Sequence, residues 1–368
     1  MGVNHPQFLL WDNDQILRER NMTKIPNRKN NIIDLINKAH ENKSEKPRPH
    51  FGASQAGHKC DRWLWLSFRW AVQPNFPGRI LRLFRRGHHE ENWIVDDLKE
   101  IGIRITHTGK IQKRVDFGCH VSGSLDGIIE SGIPEAPNKK HIAEFKTHGL
   151  RSFQDLTKNG VEKSKPIHYA QMQLYMLGTD IDRALYVAVC KNDDQIHIER
   201  VKFNKKYAEK LLERAKKIAL AERMPDPIST DPSWYECKFC DAYDFCHKET
   251  LTKHVNCRTC AHVTPNENGE WDCTRHENGE NIPVEYQHIG CSDHVLHPDI
   301  VPWEMCHSDN PNEAVYQMKK GKVINGESGF SSKEIVISGE ACADDLVKAV
   351  KNVFPDSKIT GVDDATNV

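Results

Sequence analysis

The sequence has no long apolar run, and none of its apolar stretches approaches the about 20 residues that a helix needs to cross a bilayer. Its first residues, MGVNHPQFLLWDNDQ, lack the basic-then-apolar pattern of a secretory signal peptide. A GxxxxGK(S/T) motif is also absent, which excludes an evident ATP-driven motor within the chain. We therefore expect a cytoplasmic protein with no membrane partner.

The sequence also carries almost no net charge, with a formal value of −1 over 368 residues, of which 28% are charged and 38% apolar. This composition is typical of a globular protein with a modest core. It excludes nucleic-acid binding through overall positive charge, so any such contact must come from a local basic surface. The length of 368 residues allows two or three domains or one decorated domain.

Two acidic residues and a lysine form a pattern between positions 120 and 148. Asp126 lies in GSLDGII, and Glu144 and Lys146 flank Phe145 in AEFKTH. Both segments are typical of strands, in which alternate side chains share a face, so Glu144 and Lys146 point to the same side. Burying two carboxylates and an ammonium together is costly without a purpose. A divalent cation supplies one, because Mg²⁺ and Mn²⁺ prefer oxygen ligands. An exposed cross-strand ion pair is the alternative.

An Asp followed by Glu-x-Lys on a strand resembles the motif of the PD-(D/E)XK nuclease superfamily. The sequences GSLDGII and AEFKTH are similar to those of its RecB-type and lambda-exonuclease-type branches. The resemblance covers about residues 52–250. It implies an α/β fold with a mixed central sheet flanked by helices, the restriction-endonuclease-like core. It also implies one or two Mg²⁺ or Mn²⁺ ions, with Lys146 beside the attacking water and with ligands from Glu91, Asp126, Glu144 and the Phe145 carbonyl.

Two predicted helices flank this pattern. Residues 79–102 carry an apolar stripe that contains Glu91, whereas Glu90 lies about 100° further round the helix. The spacing from Gly87 to Glu91 resembles the first motif of the lambda-type nucleases. In the second helix, Gln171 and Tyr175 resemble the fourth motif of RecB-type nucleases, whose glutamine holds DNA or the attacking water. The first helix also carries arginines near Glu91 that suit contacts with phosphate groups, although they could simply form a solvent-exposed face. These arginines are Arg82, Arg85 and Arg86.

Two connecting segments complete the predicted nuclease domain. We interpret residues 103–116 as a hairpin and residues 149–165 as a polar loop.

Cysteine is abundant, with 12 residues clustered in and around CxxC pairs toward the C-terminal half. Disulfides suit short secreted chains, so metal binding is the better interpretation here. Cys237, Cys240 and Cys246 provide three thiolates and require a fourth ligand, for which Cys60 is the candidate. The set resembles the [4Fe–4S] staple of AddB-type and CRISPR-associated nucleases. Zn²⁺ is the alternative, because it accepts the same thiolates.

A second set of cysteines follows in residues 257–297, among glycines and turn residues. The spacing is typical of a zinc ribbon, in which Zn²⁺ staples a segment that has too few apolar residues for a core. The preferred Zn²⁺ ligands are Cys257, Cys260, Cys273 and Cys291, and the alternatives are His276 and His294.

The motifs occur in the family order and a cysteine set brackets them, so the sequence predicts a metal-dependent DNA exonuclease. The resemblance implies 5′-to-3′ digestion of DNA with a free end, in recombination, repair or replication in a phage or bacterium. A recombination, replication or helicase protein would be a further partner. Two alternatives are an endonuclease or end-trimming subunit of a larger complex, and a non-catalytic DNA-binding scaffold. We expect an N-terminal extension (1–50), a nuclease domain (51–250), a zinc-ribbon module (251–307) and a small α+β region (308–368).

Overall fold

The computed structural model describes residues 31–43, 46–275, 279 and 281–359. The chain divides into two compact units, one of residues 1–45 with 76–84 and a larger one of residues 46–75 with 85–368. The four-part division expected from the sequence stays a prediction. His276 lies outside the described residues. In the part of the chain that the structure covers, no helix has both the length and the apolar character needed to span a membrane.

The helices are α1 (Ile32–Glu41), α2 (Asp61–Phe68), α3 (Gly78–Glu100), α4 (Leu150–Ser164), α5 (Pro166–Thr179), α6 (Lys205–Ala219), α7 (Tyr235–Lys238), α8 (Tyr243–His247), α9 (Val284–Gln287), α10 (Ser332–Ser338) and α11 (Asp345–Val353). The strands are β1 (Phe51–Gly52), β2 (Arg104–Thr106), β3 (Arg114–Asp116), β4 (Val121–Ser124), β5 (Gly127–Ser131), β6 (His141–His148), β7 (Arg183–Cys190), β8 (Ile196–Lys202), β9 (Val263–Pro265), β10 (Trp271–Cys273), β11 (Glu304–Cys306), β12 (Ala314–Met318) and β13 (Gly321–Asn325). Short 3-10 turns occur at Gly109–Ile111, Cys257–Thr259, Pro298–Ile300 and Gly339–Ala343.

The smaller unit contains α1 and the first turns of α3. The Asn31 side chain caps α1 by accepting a 2.9 Å hydrogen bond from the Asp34 amide. The Gly78 amide donates a 2.6 Å hydrogen bond to the Glu41 carboxylate, which satisfies one free N–H at the start of α3.

A five-stranded mixed sheet of order β2-β5-β6-β7-β8 lies at the centre of the larger unit. β6 and β7 are parallel, and the other neighbours are antiparallel. Parallel neighbours require a crossover connection, which α4 and α5 provide here. The expected mixed α/β class is confirmed.

Different helices cover the two faces of this sheet. On one face, Phe145 of β6 and Val187 of β7 pack in a cluster with Ile94 of α3. On the other face, Tyr186 belongs to the main cluster, which includes residues of α5 and α6. Since side chains alternate along a strand, Glu144 and Lys146 point to the face opposite Phe145.

Two segments differ from their predicted conformation. Residues 103–116 do not form a hairpin, because β2 pairs with β5 whereas β3 joins a separate sheet of order β1-β4-β3. Residues 149–165 do not form a polar loop. They form α4, and its buried face of Phe153, Leu156 and Val161 explains why this lysine-containing segment folds as a helix.

The cysteine-rich segment is built on the antiparallel pair β9–β10. Its apolar residues are not too few for a core. Val263, Trp271, Leu296 and Ile300 are buried in the same hydrophobic cluster as residues of α2 and the central sheet. Apolar packing therefore stabilises this segment in addition to any metal. The sheet β11-β12-β13 and the helices α10 and α11 follow it.

Candidate active site and cysteine clusters

Asp126, Glu144 and Lys146 converge at the junction of β5 and β6. The Phe145 amide donates a 2.9 Å hydrogen bond to Asp126 Oδ2, which fixes the carboxylate beside β6. Lys146 Nζ lies 3.5 Å from the same oxygen and donates to the Phe145 carbonyl at 2.9 Å. The ammonium also contacts the Glu144 carboxylate. The structure thus brings together three of the residues predicted from the Asp…Glu-x-Lys pattern.

Glu144 is fully buried, with a side-chain exposure of 0%. Burial raises the pKa of Glu144 to about 8, and the positive charge of Lys146 opposes that shift. Gln171 Nε2 donates a 3.1 Å hydrogen bond to Glu144 Oε2. Glu144 Oε1 accepts no hydrogen bond of regular geometry, although the Lys146 ammonium lies against it. A buried carboxylate oxygen in this state suits a cation.

Lys146 is held in its charged form. Burial lowers its pKa, but the charges of Asp126 and Glu144 outweigh that effect, so the pKa of Lys146 is raised above its usual value. A protonated lysine has three hydrogen-bond donors and no acceptor, so Lys146 in this form is suited to orienting a water molecule or a phosphate oxygen.

Glu91 approaches the same site from α3. It is half-buried, and burial and the negative charge of Asp126 raise its pKa, while Lys146 acts in the opposite direction. Glu91 is therefore within electrostatic reach of both Asp126 and Lys146. Glu90 is the more deeply buried of the two acids, at 9% exposure.

Gln171 and Tyr175 reach the site from α5. The Tyr175 hydroxyl donates a 2.8 Å hydrogen bond to the Ser124 carbonyl, just ahead of Asp126. A Cβ at position 123 would lie 2.6 Å from the Tyr175 hydroxyl, so only glycine allows the ring to approach β4 this closely. Gly123, the first residue of the GSLDG motif, therefore leaves the space that the Tyr175 ring occupies.

A buried hydrogen-bonded chain next to Lys146 was not predicted. The Tyr186 hydroxyl lies 3.0 Å from His148 Nε2 and 2.9 Å from His168 Nδ1. Burial lowers the pKa of His148 to about 4 and that of His168 to about 3, so both rings are neutral at pH 7. A sequence signal existed, because His148 shares the strand face of Lys146, and His168 lies one helical turn before Gln171.

The predicted phosphate-binding arginines are distributed over both units. Arg85 and Arg86 are exposed on α3 in the larger unit. Arg86 donates a 3.3 Å hydrogen bond to the Lys191 carbonyl. Arg82 is half-buried on the part of α3 that belongs to the smaller unit.

The first cysteine set lines one cavity. Cys60, Cys237, Cys240 and Cys246 all border a space of about 400 Å³. Cys60 is the N-cap residue of α2. Burial raises the pKa of the Cys240 thiol to about 11, and negative charge on Cys246 and Cys60 adds to the shift. The four sulfur atoms thus share one environment, although they come from distant parts of the sequence.

The second cysteine set also comes together. Burial raises the pKa of Cys257 to about 11 and that of Cys260 to about 12, and charge on Cys273 and Cys291 adds to both shifts. His294 is an unsuitable ligand, because Nδ1 lies 2.8 Å from Ser332 Oγ and Nε2 lies 2.9 Å from the Asn256 carbonyl, which occupies both nitrogens.

No group of three or more His, Cys, Asp or Glu side chains is already arranged to hold a single metal ion among the residues the structure describes. The acidic site holds an ammonium between its carboxylates, so Lys146 must move before an ion can enter it. The cysteines of the two sets form no disulfide.

No family model and no curated protein matches the sequence. Among solved structures, the chain is similar to SSO0001, at 15% identity over 59% of this chain and 96% of that one, with a TM-score of 0.37. It is also similar to the alkaline exonuclease LHK-Exo from Laribacter hongkongensis, at 17% identity over 47% and 87%, with a TM-score of 0.32. The complex of LHK-Exo with dAMP gives 15% identity over 46% and 86%, with a TM-score of 0.34. Similarity at this level leaves the activity to be inferred from the site itself.

Proposed function

We propose that this chain is a metal-dependent nuclease that hydrolyses phosphodiester bonds of DNA. The observation that carries the proposal is the convergence of Asp126, Glu144 and Lys146 with Gln171 at the junction of β5 and β6 in the central sheet. An ion pair between Asp126 and Lys146 that served only to stabilise the fold would not need the fully buried carboxylate of Glu144 beside it, since burying a charge costs several kcal/mol. A site that binds a cation does need this second carboxylate.

The acidic donor set fits Mg²⁺ or Mn²⁺, which prefer carboxylate and carbonyl oxygens. Glu91, Asp126, Glu144 and the Phe145 carbonyl would hold one or two such ions. When bound, the ions would offset charge on the scissile phosphate and favour ionisation of the attacking water.

The protein's own residues supply orientation and charge. Lys146 donates hydrogen bonds to the attacking water or to a phosphate oxygen, because its raised pKa keeps it protonated. Gln171 holds Glu144 through Oε2, whereas Oε1 lies against the Lys146 ammonium, which would have to move before Oε1 could hold a cation. Arg85 and Arg86 are exposed and contact the DNA backbone, which needs a local positive surface in a chain of net charge −1.

The proposed reaction is exonucleolytic, with 5′-to-3′ polarity, on DNA that has a free end. The test compares end-labelled linear DNA with closed circular DNA, in the presence of Mg²⁺ or Mn²⁺. We expect cleavage of the linear substrate only, and its loss in Lys146→Ala with DNA binding retained. Lys163→Ala, an exposed lysine on α4, is the matched control and should cleave normally. Equal cleavage of circular DNA would replace the exonuclease with an endonuclease. Normal cleavage by Lys146→Ala would refute the catalytic assignment.

We further propose that Cys60, Cys237, Cys240 and Cys246 hold a [4Fe–4S] cluster. Their shared cavity of about 400 Å³ supports this choice. The four thiolates of a [4Fe–4S] cluster each bind a different iron, and four cysteines around one cavity match that requirement. Cys257, Cys260, Cys273 and Cys291 are proposed to bind Zn²⁺. Iron, sulfide and zinc analysis of anaerobically purified protein tests both assignments.

A further inference from the structure

The polar face of α5 that carries Gln171 and Tyr175 begins one turn earlier, at His168. The three residues are spaced by three and four positions, so their side chains lie on one face of the helix. Gln171 contacts β6, whereas His168 reaches the neighbouring strand β7, where its Nδ1 lies 2.9 Å from the Tyr186 hydroxyl. The proposed function gives a role to Gln171 but none to His168.

The hydrogen bonds around Tyr186 form one chain with a single open end. The Tyr186 hydroxyl also lies 3.0 Å from His148 Nε2, and His148 Nδ1 lies 3.3 Å from Ser152 Oγ. Within the described residues, the second ring nitrogen of His168, Nε2, forms no hydrogen bond, and the side chain is only half-buried. The chain therefore ends at an imidazole nitrogen that a ligand can reach.

The open nitrogen of His168 can present a hydrogen-bond donor. A neutral imidazole has one N–H and one lone pair, and a tyrosine hydroxyl has one proton. When Ser152 donates to His148, and His148 donates to Tyr186, the Tyr186 hydroxyl donates to His168 Nδ1. His168 Nε2 then carries the N–H, and every hydrogen bond of the chain is made. Hydrogen bonds aligned in one direction also strengthen one another.

Lysines surround both histidine rings. Burial is the main cause of the lowered pKa values, and lysine charges add to it: those of Lys165, Lys191 and Lys146 for His148, and those of Lys146 and Lys165 for His168. The Lys191 amide donates a 2.8 Å hydrogen bond to the His148 carbonyl, so its half-buried side chain starts directly beside the chain of hydrogen bonds. A neutral donor thus lies in a positive environment.

The same positive surface continues to Arg86, which the proposed function places on DNA. Arg86 donates a 3.3 Å hydrogen bond to the Lys191 carbonyl. Lys165, at the start of α5, lies 3.6 Å from the exposed carboxylate of Asp155, and an ion pair of this kind contributes little. Positive charge therefore remains for an anion that enters from solvent. A backbone phosphate of DNA accepts hydrogen bonds and carries the required negative charge.

We propose that His168 Nε2 binds a backbone phosphate of the DNA substrate, next to the phosphate that is cleaved. Lys165 and Lys191 flank the bound phosphate and balance its charge. Tyr186 and His148 are positioning residues, because they act on the phosphate through His168. The inference rests on the proposed nuclease function and names a second point at which the site holds its substrate.

The test measures the affinity of the full chain for a short labelled DNA duplex by fluorescence anisotropy, at pH 8 and in EDTA so that no cleavage occurs. His168→Phe should weaken binding about 10-fold, because it removes a hydrogen bond to a charged group. The dependence on salt should stay the same, since the lost group is neutral. Lys191→Met should reduce the slope of log K against log salt concentration by about 0.9, because one phosphate contact is lost. Lys322→Met, at an exposed lysine on β13, is the control and should change neither quantity.

Two conservative variants separate the phosphate contact from a packing effect. Tyr186→Phe keeps the ring, removes the hydroxyl and should also weaken DNA binding. His168→Gln carries an amide N–H close to the position of Nε2 and should bind DNA more tightly than His168→Phe. Duplexes with a single uncharged methylphosphonate linkage then locate the phosphate. At one linkage the parent should lose affinity, whereas His168→Phe should lose little more, because the two changes remove the same contact.

Unchanged affinity in His168→Phe and Lys191→Met overturns the phosphate site. So does a loss in His168→Phe that adds fully to the loss at every methylphosphonate linkage. Inorganic phosphate tests for a free anion as the ligand: phosphate binding that depends on His168, with equal DNA binding by parent and variants, overturns the DNA contact. A parent that binds DNA but cleaves none with Mg²⁺ or Mn²⁺ refutes the nuclease, whereas the binding data still decide the role of His168.

Discussion

Replacing Lys146 with methionine tests the charge balance of the acidic site, because methionine keeps much of the aliphatic stem and removes the ammonium. At pH 6, Glu144 is protonated, since burial raises its pKa to about 8. The lysine then balances mainly Asp126 at 3.5 Å, and these two side chains are 26% and 13% exposed. Losing a pair of this kind costs about 1 kcal/mol.

At pH 9 the same substitution should cost about 1.4 kcal/mol more than at pH 6, because Glu144 ionises beside Lys146 above its pKa of about 8, whereas in the variant it must stay protonated. The sign follows from proton binding. Between the ordinary pKa of 4.5 and the folded value of about 8, the folded protein binds more protons than the unfolded chain, so stability falls as pH rises. Without Lys146 the folded pKa of Glu144 is higher, and the fall continues above pH 8.

The assay is urea unfolding of the metal-free protein at pH 6 and pH 9, with Lys163→Met as the control for an exposed lysine. Mg²⁺ at 100 times its Kd should stabilise the protein by about 2.7 kcal/mol if it binds only the folded state. It should also narrow the gap between Lys146→Met and the parent at pH 9. An equal loss of stability at pH 6 and pH 9 would refute the charge-balance reasoning.

Three further predictions concern neighbouring groups. Gln171→Leu leaves Glu144 Oε2 without its donor and should lower the free energy of unfolding by about 1–3 kcal/mol at pH 9 in urea titrations; no change there would mean that Gln171 does not support Glu144. Burial lowers the pKa of His148 to about 4 and that of His168 to about 3, so the free energy of unfolding of the parent should fall as pH drops below 6.5. In unfolding experiments between pH 4 and 6.5, His168→Leu should make this dependence on pH less steep. An unchanged dependence would contradict a neutral His168. Cys246→Ser should remove most of the broad visible absorption of the anaerobically purified protein, whereas a colourless, zinc-replete parent would contradict the iron–sulfur assignment.

Strand periodicity explains why much of the acidic site could be predicted. Glu144 and Lys146 must share a face because they are two residues apart on a strand, and β6 spans both. Predicting the position of Asp126 required the further assumption that its strand pairs with β6. The structure contains this pairing, in which Gly127 of β5 lies opposite Ala143 of β6. The site roles of Glu91 and Gln171 stay predictions. Apolar spacing favoured Glu91 over Glu90 for the buried stripe of their helix, but Glu90 is the more deeply buried of the two.

Segments with weak local patterns were assigned less well. The short strands β2 and β3 were predicted to pair with each other, but their partners lie on β5 and β4, and the choice between partners is made by non-local contacts. Residues 149–165 appeared polar because of their lysines. Phe153, Leu156 and Val161 are spaced to bury one face only when the sheet is present to receive it.

By itself, the sequence determined the mixed α/β class, the shared face of Glu144 and Lys146, and the grouping of cysteines into two sets. Those features depend on local periodicity and on chemical type, both of which are readable from the order of residues. Only the tertiary structure decided that Tyr186 joins His148 to His168, that both nitrogens of His294 are occupied, and that Trp271 contacts Arg69 and Arg258. These contacts join residues far apart in the chain, and they exist because packing brings the side chains together and excludes the water that would otherwise satisfy them.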